Sequence, residues 1–130
     1  MQKQLGMALA LAAASSGALA AWTLVEASGE MRTYADWTSL RRNASVVDLW
    51  VLFDNIEDPS GITRTKSMSS KSRLECNCQD RRYRYLFTSW HAERMGAGAV
   101  TYTLDQVGGW KPVPPDSIIS PLWQRACQNP

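Results

Sequence analysis

The chain has 130 residues, 45% of them apolar and 20% charged, with a formal net charge of +2. That length excludes more than one ordinary domain, and that composition excludes bulk disorder. The near-neutral balance gives no global field that would gather nucleic acid.

Residues 1–20 stand apart from the rest. Lys3 supplies a short positive start, residues 5–14 form an uncharged apolar run, and Ala18-Leu19-Ala20 offers small side chains at the two positions a signal peptidase reads. This order is that of a cleaved secretory signal. The apolar run is shorter than the roughly 20 residues of a permanent spanning helix. Cleavage after Ala20 removes Lys3 and leaves residues 21–130 as a single domain of 110 residues with a formal charge of +1. A domain of this size buries a marginal fraction of its surface, so a covalent staple would help it, and export to an oxidising compartment lets cysteines pair.

The mature part reads mostly as strands. Trp22 to Glu26 is the first, Ser28-Gly29 a turn, and Met31 to Tyr34 a short hairpin partner. Residues 38–45 are polar and basic and read as a connection. Val46 to Phe53 is the clearest strand, rich in β-branched and aromatic residues. Val47, Leu49, Val51 and Phe53 lie on one face, and Val46, Trp50 and Leu52 on the other, which predicts a central strand covered from both sides. Residues 54–61 are a loop. Leu74, Cys76 and Cys78 then alternate with Arg73 and Glu75, Gln79-Asp80 turns the chain, and Tyr83 to Trp90 is a further strand. Residues 91–98 read as a loop, Ala99 to Leu104 as a strand, and Val107 to Trp110 as a turn through Gly108-Gly109. Pro112, Pro114 and Pro115 oppose regular pairing.

The period changes at the end. Ile118, Ile119, Leu122, Trp123, Ala126 and Cys127 repeat at three- and four-residue spacing, one apolar helix face. Either Ser117 caps this helix with Pro121 in the first turn, or Ser120 caps it with Pro121 as the first helical residue. The predicted fold is α+β: an antiparallel sheet of about five or six strands with one C-terminal helix packed on a face and tied by a disulfide.

Three cysteines allow one bridge and leave one thiol. Cys76 and Cys78 share a face of an extended strand and are poorly placed to bond each other. Cys127 on the helix is the natural partner of one of them. A metal site would have to draw on Cys127 and His91 as well, a poor ligand set; no metal and no cofactor is expected. His91 is the single histidine, and no nucleophile-elbow pattern accompanies it, so a solvated loop residue is the plainer reading and no catalytic residue is expected. Asp54, Asn55, Glu57 and Asp58 crowd one loop without a calcium-loop spacing. Arg81, Arg82 and Arg84 form a basic cluster, either a contact for an acidic partner or a charged edge that blocks sheet aggregation. Six tryptophans divide between core and interface.

Several of these pieces occur together in one known order. The early Trp22, the strand Val46-Val47-Asp48-Leu49-Trp50, and Cys78-Gln79-Asp80-Arg81-Arg82-Tyr83-Arg84 are followed by Gly96-Ala97-Gly98-Ala99-Val100 and Trp110-Lys111-Pro112-Val113-Pro114-Pro115-Asp116-Ser117. The series ends at Leu122-Trp123 and Cys127. In this the chain resembles the bacterial surface-adhesin protein E family, small envelope proteins of double-membraned bacteria. The resemblance covers nearly the whole mature chain. It implies the same sheet and tethered helix, and it selects Cys78 as the partner of Cys127, leaving Cys76 as the extra thiol. It implies a non-enzymatic exported protein, in the periplasm or at the cell surface, that binds other proteins such as host matrix or serum proteins, and it allows a homodimer. The basic cluster Arg81, Arg82 and Arg84 is the candidate partner contact. Leu19-Ala20-Ala21-Trp22 has no cysteine to carry the family's lipid, so no lipid anchor is expected. The alternative is a soluble periplasmic module that binds an envelope component or a small ligand.

Overall fold

The computed structural model describes residues 20–56 and 67–128; the leader expected over residues 1–20 lies, except for Ala20, outside them. The described chain forms strands β1 (Thr23–Ser28), β2 (Met31–Asn43), β3 (Val46–Asp54), β4 (Ser69–Asn77), β5 (Arg82–His91), β6 (Val100–Leu104) and β7 (Lys111–Pro112), and a helix α1 (Ile119–Gln128). β1 to β6 follow one another as an antiparallel meander, and β7 adds to the other end of β5. Pro112 takes part in that short pairing, opposite Arg82. It sits in a two-residue edge strand, a position where the missing N–H is tolerated.

The alternation in β3 decides the layering. Val47, Leu49, Val51 and Phe53 point to one face, where they meet Leu74 and Cys76 of β4 and Ile119, Leu122 and Ala126 of α1. Burying such side chains stabilises by roughly 1.5–3 kcal/mol each, which is why the helix lies on this face. The Cys78–Cys127 disulfide links the end of β4 to the last turn of α1 across 49 residues. Among the described residues, the opposite face of β3 is covered at one end only. A single 3₁₀ turn, Arg94–Gly96, lies over Leu52 and Asp54, which are fully buried, whereas Trp50 is half-exposed. Gly96 has φ +70°, and a Cβ there would come within 3.1 Å of the Lys71 side chain and 3.2 Å of Leu52, so the close seating of this turn needs glycine.

β2 is thirteen residues long, not the short strand expected, and residues 38–43 belong to it. Asp36 pairs with Trp50 and Arg41 with Asp48, so four residues of β2 stand against Leu49 alone. This wide bulge falls across the start of residues 38–45, the stretch read in sequence as a connection. A second bulge inserts Leu86 in β5 between Tyr85 and Phe87, which pair with Leu74 and Arg73. α1 begins at Ile119, so Ser120 is inside the helix and Pro121 is its third residue. Ser117 closes a preceding turn instead, donating from Oγ to the Pro114 carbonyl and accepting the Ser120 N–H.

Candidate functional site

The arginine cluster sits at the β4–β5 turn. Asn77 Oδ1 accepts the Gln79 and Asp80 N–H groups at 3.1 and 3.0 Å, an Asx-type turn, and Arg81 follows with φ +41°, one residue ahead of β5. The three guanidiniums diverge. Arg81 stacks over Trp123 of α1 at 4.8 Å. Arg82 pairs with Asp80 at 3.0 Å and remains half-exposed. Arg84 donates from Nε to Glu75 Oε1 at 2.6 Å and lies 4.3 Å over the Trp110 ring. Two of the three therefore hold aromatic side chains in place, and Arg82 is more open than Arg84, 46% against 29% exposed.

This arrangement recurs. Arg73 lies over Trp50 and Arg125 over Trp37, at 5.8 and 4.9 Å. Four of the six tryptophans are thus capped by an arginine, a cation–π contact of roughly 0.5–2 kcal/mol. All six are half-buried rather than core. A half-buried ring with a guanidinium over its face is stable at a surface, and that pairing was not legible from spacing.

On the face opposite α1, the two bulges produce a feature that the sequence reading missed. One row of directly opposed residues crosses four strands: Arg41 of β2, Asp48 of β3, Glu75 of β4 and Arg84 of β5. Arg73, which is buried, forms a salt bridge with Asp48 and donates to the Ser39 carbonyl at 3.0 Å. Arg41 reaches the same Asp48 oxygen at 3.1 Å with its side chain 73% exposed. Beside this row lies an open recess of about 710 Å³ with Leu40, Trp50, Leu86 and Phe87 as its apolar walls. Trp50 and Phe87 meet edge to face at 6.0 Å.

His91 is buried at the end of β5, not solvated in a loop. Its Nε2 is 2.9 Å from Ser89 Oγ, and Nδ1 has no partner among the described residues. Burial and the nearby Lys71 push its pKa down. Asp54 takes the Arg94 guanidinium at 2.7 Å and the Met95 N–H at 2.7 Å; burial alone would raise its pKa, but these partners hold it low. Of the acidic loop, Glu57 and Asp58 lie outside the described residues. Cys76 is the free thiol, buried, with its pKa pushed up to about 12 by burial and by Glu75 and Asp48. The bridge joins the pair that the family resemblance selects.

The family model for surface-adhesin protein E matches residues 22–128. The chain belongs to that family. This makes it an adhesin-like protein. The fold of the surface-adhesin protein E family is also the one found among solved structures. The structure of Haemophilus influenzae protein E matches with a TM-score of 0.56 at 15% identity, covering 81% of this chain and 89% of that one. Crystal form II of the same protein gives 0.57 at 15%, covering 86% and 98%. Protein E from non-typeable Haemophilus influenzae gives 0.53 at 16%, covering 82% and 76%. No curated protein matches the sequence. At such identities the shared property is the fold, a meander with a C-terminal helix.

Proposed function

We propose that this is a non-enzymatic, exported envelope protein that acts as an adhesin by binding other proteins, host matrix or serum proteins among them. The observation that carries the reading is family membership over residues 22–128. The surface chemistry agrees with it. Arginine, tryptophan and tyrosine are the residues in which protein-binding surfaces are enriched, and arginine-capped tryptophans line several edges of this domain. Arg81, Arg82 and Arg84 supply the contacts, Arg82 through an exposed pair with Asp80 that an acidic partner can replace.

The test is capture of the oxidised protein by immobilised matrix and serum proteins, with Arg82→Glu beside the parent. Saturable capture that Arg82→Glu weakens supports the reading and its contact residues. No capture, with the protein folded, favours a soluble periplasmic module. Light scattering on the same samples tests for the homodimer that the family resemblance allows.

A further inference from the structure

The recess on the face opposite α1 exists because two strands miscount against their neighbours. Four residues of β2 oppose Leu49, and Leu86 is extra in β5. Bulges re-aim side chains and gather next to functional sites, and both of these contribute walls to the same opening. We propose that the recess binds an aromatic side chain flanked by carboxylates, on an acidic segment of a partner polypeptide.

Shape gives the aromatic part. Trp50 and Phe87 stand edge to face, with Leu40 and Leu86 beside them, and rings prefer edge-to-face or offset neighbours. Charge gives the acidic part. Among the described residues, Arg41, Arg73 and Arg84 pair with the carboxylates Asp48 and Glu75, so this group of five side chains carries a net +1. Arg41 is the cation whose partner is already engaged by Arg73, and its side chain is 73% exposed at the rim. A carboxylate from outside completes it, whereas a basic segment meets like charge. Openness gives the polypeptide. A free aromatic acid is retained by burying most of its surface, which an open recess on a sheet does not do; a side chain on a longer segment is held by its neighbours too. The proposal rests on the protein-binding reading above and names the chemistry of one contact.

The experiment is an NMR titration of the oxidised protein, following backbone amides and the Trp50 indole. The probes are a capped pentapeptide with one phenylalanine among four glutamates, the same peptide with lysines for the glutamates, the same with alanine for phenylalanine, and free phenylacetate. The expected result is saturable shifts at Leu40, Trp50 and Leu86 with the first probe alone, weakened about tenfold by Arg41→Glu. Leu86→Ala is the second variant, expected to weaken binding while Arg41 is intact. Equal shifts from the lysine peptide, equally tight phenylacetate, or indifference to Arg41→Glu would overturn the proposal. Capture of matrix and serum proteins, read alongside, separates the two claims. Capture unaffected by Arg41→Glu with no peptide shifts sinks the recess and keeps protein binding. Peptide shifts without capture keep the recess and sink that choice of partners.

Discussion

Asp48 and Glu75 stand directly opposite each other on β3 and β4, two carboxylates paired across a sheet. Like charges in that position repel, and the outer face is arranged around them. Arg73 binds Asp48 from the next row, and Arg84 binds Glu75 from β5.

Arg73 is therefore the residue whose loss should be felt most on this face. Arg73→Leu leaves Asp48 short of its buried partner, with Glu75 opposite, and should lower stability by about 3 kcal/mol. Adding Asp48→Asn should restore part of that loss. Urea unfolding of both single variants and the double variant measures the coupling.

The disulfide should contribute about 4 kcal/mol, because it closes a loop of roughly 50 residues in the unfolded chain. The Cys78→Ala/Cys127→Ala double variant should lose most of that. An unchanged urea midpoint would show that α1 docks on its apolar face alone.

Cys76 should be inert while the protein is folded. Its thiol is buried and its pKa is pushed up to about 12, so almost no thiolate exists at pH 8. An aromatic disulfide reagent should titrate no thiol in the native protein and one in denaturant without reductant.

His91 makes stability fall on acidification. Burial and Lys71 hold its folded pKa below the ordinary value of about 6.5. Below that value the unfolded chain binds the proton more readily than the folded one. The His91 contribution is thus fully present above about pH 6.5 and is lost as the pH falls from there through the folded value. Urea midpoints between pH 7.5 and 5.5 should show this slope, and His91→Gln should flatten it.

Much of the fold was legible because one period dominated. The alternation of β3 announced its buried face, and the three- and four-residue repeat from Ile118 to Cys127 announced α1. Residues 38–43 were misread because a bulge breaks alternation, so Thr38 and Ser39 look like loop although they belong to a strand. His91 was misread because its burial comes from strand pairing with Ser69 and from Ser89 beside it, which neighbours in sequence do not reveal. The arginine cluster was visible as a run of charge, but its partners Trp110, Trp123 and Glu75 come from other elements. The recess left no mark in the sequence, since each of its walls belongs to a different strand or to a bulge.

The central claim is that this family member works as an adhesin at the outside of the cell. Proteolysis of intact cells, with lysed cells given the same dose, tests it most directly. The account predicts that intact cells lose the protein as completely as lysed ones. Survival on intact cells with digestion in lysates would contradict it and would place the protein in the periplasm.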